Sequence, residues 1–350
     1  MIYTAAFALV YSGFIVFRLA YFGVPLPNTY YMKGGPTLQA LLALLTLKIP
    51  MVKKAQNLLH SFLGDASDLM LLVIGLSTLV LIVMRRWTIQ LWGVLIYLLC
   101  AFAIYMLLPG DWMPEYRFAT VFFLLFYLYS ALVIGLSLQC LPASAARLGQ
   151  LGFTLLALVA SFTLFSPRTE AFSRAPTVPF EHIRAWYADK SEWYKGELGL
   201  SSASLLLPDI GGVIYYSDLN DLNVYDLAGL TDQTVARTLG QHLDRAGFYN
   251  YVFQTVRPTF IYTHGAWTGL AKFEDDPRFS QLYVPICSYI DPWVERNYHQ
   301  QRLSGDFVLR SVIETQPDQL SVLRVRLDNS CILQPPEPED VKQPTLILNK

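Results

Sequence analysis

Three ionisable residues lie close together in a short segment that separates two long apolar stretches. Asp111, Glu115 and Arg117 all fall within residues 109–117, which read PGDWMPEYR. Ionisable groups at such a boundary often mark a functional site, because a charge beside an apolar phase is costly unless it has a partner or a task. A carboxylate there can accept a proton, and a guanidinium can bind an anion.

Residues 21–33, which read YFGVPLPNTYYMK, form a second segment with an unusual composition. A purely structural interpretation stays open for both segments, because proline and glycine turn the chain and because tryptophan and tyrosine are enriched where a membrane meets water. The polar and aromatic side chains of interest in the two segments are Asn28, Tyr30, Tyr31, Lys33, Trp112 and Tyr116.

Long apolar stretches dominate the first half of the chain. The chain has 350 residues, of which 53% are hydrophobic and 15% charged, whereas soluble domains carry about 25% charged residues. A membrane helix needs about 20 apolar residues, because the hydrocarbon core is about 30 Å thick. Stretches without charge that approach this length are Ile2–Phe17, Leu69–Met84, Leu91–Leu108, Phe118–Cys140 and Leu148–Phe165. Residues 1–165 therefore predict an α-helical polytopic membrane domain of about five spans.

The two halves of the chain differ in charge, which places a domain boundary near residue 166. Residues 1–165 hold 9 Lys/Arg and 4 Asp/Glu, and residues 166–350 hold 17 and 23. A sharp change of composition is typical of a domain boundary. The net charge of −1 for the whole chain gives no reason to expect a nucleic-acid partner.

Basic residues in short loops indicate which ends of the apolar stretches face the cytoplasm. Arg85 and Arg86 lie between two stretches, and Arg147 lies two crossings later, so both loops are expected on the cytoplasmic side. The loops 18–68 and 109–117, and the whole second half of the chain, then lie on the outer side.

The outer loop 18–68 contains an amphipathic pattern. Apolar residues between Met51 and Leu63 recur on one helical face, with Lys53 and Lys54 on the opposite face. Two placements stay open for this helix, one in the plane of the membrane interface and one packed against the spans.

The second half of the chain reads as a soluble α/β domain, because β-rich and helical segments are interspersed. Strands are expected at Ser204–Leu207, Thr259–Thr263, Phe307–Ser311 and Leu320–Leu327, and helices at Phe180–Lys195 and Thr231–Ala246. A Pro-rich acidic tail begins at Gln334. The sequence has no glycine-rich phosphate loop and no zinc-binding spacing, and its histidines are scattered. No cofactor and no metal ligand is therefore predicted, with a divalent metal left as an alternative.

Two cysteines lie in the polar half of the chain. Cys287 and Cys331 could form a disulfide if this half faces an oxidising compartment, but two cysteines alone leave the pairing open. Cys100 and Cys140 lie in apolar stretches and are expected to be buried thiols.

Three parts of the sequence, taken together, resemble one family. Residues 26–33 (LPNTYYMK) and 110–118 (GDWMPEYRF) are similar to two outer-loop signatures of bacterial membrane glycosyltransferases of the GT-C class. Residues 209–217 (DIGGVIYYS) and 224–232 (VYDLAGLTD) resemble the start of the periplasmic domain in the branch related to the mycobacterial terminal arabinofuranosyltransferases. The matches follow the order of the family and lie on the expected side of the membrane.

The resemblance implies a bacterial inner-membrane enzyme that moves a sugar from a polyprenyl-phosphate donor to a periplasmic glycan acceptor. Lys33 and Arg117 would then bind the donor phosphate at the membrane interface. Asp111 and Glu115 are the candidate catalytic carboxylates, because the acceptor hydroxyl must lose a proton as an oxocarbenium-like state forms. The residues expected to bind the sugar or the acceptor are Asn28, Tyr30, Tyr31, Trp112, Tyr116, Asp209 and Tyr215.

One part of the family pattern is not found in this sequence. GT-C enzymes usually carry their key acidic residue in a first outer loop after an N-terminal span, and no such loop precedes Ile2–Phe17. The sequence is therefore interpreted either as a piece of a longer or split enzyme, or as one in which Asp111 takes that role. The main alternative is a non-catalytic membrane subunit or remnant with a periplasmic binding domain. A transporter fits less well, because the four clearer spans carry no interior charge.

Overall fold

The computed structural model describes residues 2–35, 37–64, 67–108, 116–240, 244–314 and 317–334. The chain forms two compact units, one made of Met1–Gly34 with Val178–Lys350 and the other of Gly35–Thr177. The last long helix of the first half continues without a break past residue 166 to Arg174.

Helices make up the first half of the chain, as the apolar stretches predict. Among the described residues they are α1 (Ile2–Phe22), α2 (Asn28–Lys33), α3 (Leu38–Leu45), α4 (Ile49–Leu63), α5 (Ser67–Val83), α6 (Ile89–Leu107), α7 (Thr120–Leu138) and α8 (Ala143–Arg174). A 3-10 turn, Arg117–Ala119, precedes α7. Four of these helices, α1, α6, α7 and α8, are long and apolar enough to cross a membrane, and α5 is a shorter apolar helix of 17 residues.

The amphipathic helix α4 packs against the apolar helices of its own unit. Leu58 is fully buried in a cluster that includes Leu81 of α5 and Leu91 of α6. This packing confirms one of the two placements expected for the helix.

Lys54 of α4 has partners that the sequence does not indicate. Its ammonium group donates hydrogen bonds to the carbonyl oxygens of Tyr105, Met106 and Leu108, at 3.0, 3.2 and 2.8 Å. The last carbonyls of a helix have no partners within the helix, and a cation there also interacts favourably with the helix dipole. Lys54 therefore stabilises the end of α6 from which residues 109–117 continue.

Short helices and strands alternate after α8. Among the described residues they are α9 (Phe180–Ile183), a π-helical turn (Arg184–Asp189), α10 (Lys190–Glu197), β1 (Ala203–Leu207), α11 (Ile210–Tyr216), β2 (Leu222–Asp226), α12 (Gln233–Thr238), α13 (Arg245–Asn250), a second π-helical turn (Tyr251–Val256), β3 (Phe260–Thr263), α14 (Gly265–Ala271), a 3-10 turn (Phe273–Asp275), α15 (Pro277–Leu282), β4 (Tyr283–Ile290), α16 (Pro292–Tyr298), β5 (Leu303–Leu309), α17 (Arg310–Ile313) and α18 (Gln319–Val325). An α/β region therefore follows the helical half, as expected.

The strands of the described residues form one mixed sheet of five, in the order β2-β1-β3-β5-β4. β1 pairs in parallel with β2 and β3, whereas β5 is antiparallel to β3 and β4. Successive side chains of a strand point to opposite faces. Leu206 and Ile261 accordingly enter one core, and Leu205 and Phe260 enter the other. Burial on both faces explains why β1 and β3 read as short apolar runs in the sequence.

The sequence interpretation was wrong for part of this region. Most of residues 320–327, expected as a strand, belong to α18, which ends at Val325 and in which Leu323 is fully buried. β2 and β4 were missed, and Pro285 within β4 is a residue that argues against a strand. The single helix expected at Thr231–Ala246 is replaced by α12, which ends at Thr238, and by α13, which begins at Arg245. Asp244 caps the start of α13 by accepting a hydrogen bond from Gly247 N.

Candidate functional site

The carboxyl ends of the parallel strands β1 and β3 meet at one edge of the sheet. β1 lies between β2 and β3 in the sheet. The chain continues from β1 to β2 on one side of it, and β3 later pairs with β1 on the other side. Such a reversal of strand order opens a crevice, and α/β proteins commonly bind ligands there. Asp209 lies two residues beyond the end of β1, and His264 follows β3 directly.

Three polar side chains converge at this crevice. The Tyr187 hydroxyl donates a hydrogen bond of 2.9 Å to Asp209 Oδ2, and His264 Nε2 lies 2.8 Å from the same oxygen. The Tyr187 hydroxyl also lies 3.2 Å from His264 Nε2. The side chains of Asp209 and His264 are 48% and 39% exposed, so solvent and small solutes can reach this cluster.

Asp209 is ionised in this cluster, while Tyr187 keeps its proton. Burial by itself would raise the pKa of Asp209, but the hydrogen bond and charge of His264 and the hydrogen bond from Tyr187 outweigh it and lower the pKa. Burial, with Asp209 nearby, raises the pKa of Tyr187. Because an ionised carboxylate can only accept, His264 Nε2 carries a proton toward Asp209. In the neutral ring, Nδ1 is then the acceptor.

Gly212 allows the helix that follows Asp209 to pack closely against the chain that carries Tyr187. A Cβ at Gly212 would lie 2.3 Å from Ile183 Cγ2 and 3.1 Å from the Ile183 carbonyl oxygen. Contacts this short leave no room for a side chain. Glycine at this position therefore helps to bring Tyr187 within hydrogen-bond distance of Asp209.

A cavity of about 240 Å³ opens beside the cluster, within the α/β region. Four aromatic residues, Trp186, Tyr187, Tyr262 and Tyr289, line it together with His264. Ligand sites combine apolar and aromatic walls with a few polar groups, and this volume lies below the range of about 300–1,000 Å³ that is usual for drug-sized ligands. The cavity therefore has room for a ligand about as large as a single ring.

A buried ion pair forms another part of the cavity wall. Lys190 Nζ lies 2.7 Å from Asp306 Oδ2, and the two side chains are 6% and 4% exposed. The Tyr194 hydroxyl donates a hydrogen bond of 2.8 Å to the same carboxylate, and burial raises the pKa of Tyr194. Lys190 also donates to the Cys331 carbonyl oxygen at 3.1 Å and lies 4.7 Å from the centre of the Tyr262 ring. The two charges therefore compensate each other inside the protein.

A disulfide fixes the last part of the wall. Cys287 of β4 and Cys331 form it, with their Cα atoms 5.7 Å apart. Cys331 and its neighbours Ser330 and Ile332 line the cavity. The structure thus confirms the pairing that the sequence left open.

The predicted residues of segment 21–33 form α2, which packs on the α/β region. Asn28, Tyr30 and Tyr31 are half-buried and Lys33 is exposed. Next to them, a Cβ at Gly229 would lie 2.7 Å from Met32 Cγ, and one at Gly240 would lie 2.4 Å from the Tyr31 carbonyl oxygen. Gly229 follows β2, so α2 contacts the same edge of the sheet that carries Asp209 and His264.

Arg18 holds the turn that leads into α2. Its guanidinium donates hydrogen bonds of 2.9 and 2.8 Å to the carbonyl oxygens of Pro25 and Leu26, and it lies 5.1 Å from the centre of the Phe22 ring. No role was predicted for Arg18 from the sequence. A basic residue that contacts several backbone carbonyls is a positioning residue for the turn, and here that turn places Asn28–Lys33.

Asp209 and Tyr215, the predicted residues of segment 209–217, have different environments. Asp209 belongs to the cluster with Tyr187 and His264, whereas Tyr215, one turn and a half further along α11, is 80% exposed and stacks edge-on against Tyr216. The cluster itself was missed by the sequence interpretation, which singled out neither Tyr187 nor His264.

Residues 109–115, which include Asp111, Trp112 and Glu115, lie outside the described residues. Tyr116 accepts a hydrogen bond of 2.7 Å from Ser61 Oγ and has a positive φ of 52°. Arg117 is exposed and lies 5.1 Å from the centre of the Phe118 ring. The roles assigned to this segment stay predictions.

The comparisons with known proteins are sparse. A family model described as a domain of unknown function (DUF8728) matches residues 182–322, which contain Tyr187, Asp209, His264 and Asp306. No curated protein and no solved structure matches the chain. Within the described residues, no group of three or more His, Cys, Asp and Glu side chains could hold a metal ion.

Proposed function

We propose that this chain is a multi-pass protein of a bacterial inner membrane, with its α/β domain in the periplasm, that transfers a sugar from a polyprenyl-phosphate donor to a cell-envelope glycan. The observation that carries the proposal is a disulfide, Cys287–Cys331, in a chain with four helices long and apolar enough to cross a membrane. Disulfides persist in the periplasm and are rare in the cytoplasm.

The orientation determines the kind of donor. Nucleotide sugars stay in the cytoplasm, so a transferase that works on the outer side needs a sugar carried across on a lipid. The resemblance of residues 26–33, 110–118 and 209–232 to GT-C outer-loop and periplasmic signatures supports the same donor class.

The proposed reaction forms one bond and breaks one bond. An acceptor hydroxyl oxygen attacks the anomeric carbon of the donor sugar, and the bond from that carbon to the phosphate oxygen breaks with inversion. Asp111 accepts the hydroxyl proton, with Glu115 as the second candidate. Lys33 and Arg117 stabilise the negative charge of the departing polyprenyl phosphate, because positive groups placed where charge develops lower the barrier.

The test is a transfer assay on the full chain in proteoliposomes. Polyprenyl-phosphate donors that carry labelled arabinose, mannose or glucose are supplied with envelope glycan, and label in the glycan is measured. Asp111→Asn should lower transfer by about 100-fold or more, the usual contribution of an acid–base group. Asp68→Asn, an exposed carboxylate at the start of α5, is the matched control.

The outcomes separate the chemistry from the role of one residue. Transfer from none of the donors would overturn the proposed reaction. Transfer that Asp111→Asn lowers only slightly, at equal protein abundance in the membrane, would remove Asp111 as the base and leave the reaction itself standing.

The second candidate is a non-catalytic membrane subunit or remnant with a periplasmic binding domain. The observation that favours it is the aromatic-lined cavity of the α/β region, which lies beside the polar cluster of Tyr187, Asp209 and His264. Binding of saccharide without transfer from any donor would support this candidate.

A further inference from the structure

We infer that the cavity beside Tyr187, Asp209 and His264 binds a neutral, polyhydroxylated ring, such as one residue of a saccharide. Binding at this site does not require the transfer reaction, so the proposed site and the proposed activity can be tested independently. The cavity has aromatic walls, its charged groups are paired with one another, and its other polar groups are mainly hydroxyls.

The walls suit a ring with one apolar face. Trp186, Tyr187, Tyr262 and Tyr289 all line the cavity. Tyrosine and tryptophan combine a broad apolar ring with a polar tip, which is the combination needed when one end of a ligand is apolar and the other is wet. A sugar ring presents C–H groups on one face and hydroxyls around its rim, so it can use both parts of such side chains.

The charges argue against an anionic ligand. Lys190 and His264 are the basic residues that line the cavity. The Lys190 ammonium already has the Asp306 carboxylate at 2.7 Å, and His264 Nε2 has Asp209 Oδ2 at 2.8 Å. Asp209, hydrogen-bonded to Tyr187 and His264, adds a further negative charge. A phosphate or a carboxylate would therefore meet no uncompensated positive group, and burying it there would be costly.

The same residues argue against a cationic ligand. A cation in an aromatic pocket is stabilised by the face of a ring. The Tyr262 ring already has the Lys190 ammonium 4.7 Å from its centre. A second cation in the cavity would be repelled by that ammonium, and Asp209 Oδ2 already accepts from two donors.

The other polar groups that line the cavity suit a ligand that carries hydroxyl groups. A hydroxyl both donates and accepts, so it can match a phenol or a serine hydroxyl in either direction, and it can also pair with an imidazole nitrogen. Burial raises the pKa of Tyr289 to about 12, so its phenol keeps the proton at neutral pH. Thr263, Ser330 and His264 also line the cavity.

The experiment uses the full chain in nanodiscs prepared without sugar-based detergents. The probes are the methyl glycosides of arabinofuranose, galactofuranose, glucopyranose and mannopyranose, and binding is measured by saturation-transfer NMR. At least one glycoside should bind saturably. Trp186→Ala should weaken that binding by about tenfold or more, because it removes one apolar wall. His264→Asn should weaken it as well.

Matched controls separate a lost ligand contact from a damaged fold. Trp293→Ala and His299→Asn change the same residue types in α16 and at its end, away from the cavity, and both should leave binding unchanged. Melting temperatures measured by scanning fluorimetry identify any variant that fails to fold, and Trp186→Phe then replaces Trp186→Ala with a smaller expected loss.

Three results would overturn the inference. The first is the absence of saturable binding by all four glycosides. The second is binding that the cavity variants leave unchanged, which would place the ligand elsewhere. The third is saturable binding of inorganic phosphate or tetramethylammonium that competes with the glycoside, which would show that the cavity selects charge. This binding experiment does not measure transfer from a lipid-linked donor. A failure of sugar binding in the cavity is therefore distinguishable from a failure of the transfer reaction.

Discussion

The Lys190 ammonium lies 2.7 Å from the Asp306 carboxylate, and both side chains are almost fully buried. The two residues are 116 positions apart in the sequence, one at the start of α10 and one in β5. Moving two charges out of water is costly, and their attraction offsets that cost only when the geometry is good and the remaining hydrogen bonds are made. Here Tyr194 and the Cys331 carbonyl complete those bonds.

Replacing Asp306 with Asn should strongly destabilise the α/β domain. The change leaves the Lys190 ammonium buried without its counter-charge, and breaking a buried pair in this way costs about 3–5 kcal/mol. The control is Asp189→Asn in the exposed pair Arg184–Asp189, whose side chains are 60% and 45% exposed. Exposed pairs contribute about 0–1 kcal/mol. Equal melting temperatures for the two variants would contradict a buried, interacting pair.

Gly212→Ala should disrupt the contact between α11 and the chain that carries Tyr187. The added Cβ would lie 3.1 Å from the Ile183 carbonyl oxygen, a backbone atom that cannot rotate away. Overpacking of this kind costs about 1–3 kcal/mol. Gly211→Ala is the control, because a Cβ at the neighbouring position meets nothing within 4 Å. Chemical denaturation of both variants checks the prediction, and a Gly212→Ala as stable as Gly211→Ala would refute the close approach.

Acid should weaken the cluster around Asp209. The pKa of Asp209 is lowered in the folded protein, so its interactions stabilise the fold above the usual aspartate pKa and are lost as the pH falls through the lower folded value. The melting temperature of the wild type should therefore fall as the pH drops below about 4. The Asp209→Asn variant cannot titrate at this position, so its melting temperature should fall less steeply with decreasing pH. Parallel pH profiles of the two proteins would show that Asp209 does not contribute.

The residues that could be predicted from the sequence are those with a local signal. β1 and β3 are short apolar runs, and Asp209 stands just after the first of them. His264 follows the second run in the same way, so the rule that parallel α/β sheets bind ligands at strand carboxyl ends could have singled it out. The rule needs the strand order, however, and β2, which separates the two strands in the chain, was not recognised.

Other parts of the site have no local signal. Lys190 and Asp306 look like ordinary surface charges in the sequence, because only the fold brings them together. Residues 320–327 have apolar positions that fit both a strand and a helix, and burial of Leu323 against the sheet decides for the helix. Tertiary packing overrides local preference in such cases.

The disulfide should protect two of the four cysteines from thiol reagents. Cys287 and Cys331 are paired, while Cys100 and Cys140 are free. The two free thiols were expected to be buried, but Cys100 is exposed on α6 and Cys140 is half-buried. Denatured protein purified from membranes should therefore show two reactive thiols without reductant and four with it. Four without reductant would contradict the pairing and remove the main support for a periplasmic domain.

Loss of the same disulfide should also lower stability. Replacing Cys287 and Cys331 with Ser releases a cross-link between residues that are 44 positions apart. Removing a cross-link typically costs about 2–4 kcal/mol. The matched control is Cys100→Ser with Cys140→Ser, which changes the same residue types without breaking a bond and should shift the melting temperature of the α/β domain little.

The last prediction concerns the two cations assigned to the donor phosphate. Arg117→Ala should lower transfer more than Arg117→Lys, because lysine keeps the charge but loses the two-pronged contact that guanidinium makes with phosphate. Lys33→Arg should retain more activity than Lys33→Ala, because Lys33 is assigned as a point charge. Hydrogen bonds to charged groups contribute about 1.5–3 kcal/mol, so each Ala variant should lose about tenfold to 100-fold.

The control for these variants is a cation with a structural role in the same unit as Arg117. Lys54→Ala removes the ammonium that binds the carbonyls at the end of α6. It should reduce protein abundance and melting temperature together with transfer, whereas Arg117→Ala should reduce transfer at normal abundance. The KM for the lipid donor decides between binding and folding, since loss of a phosphate contact raises it and loss of folded protein does not. An Arg117→Ala protein with wild-type transfer and an unchanged KM would exclude Arg117 from the donor site.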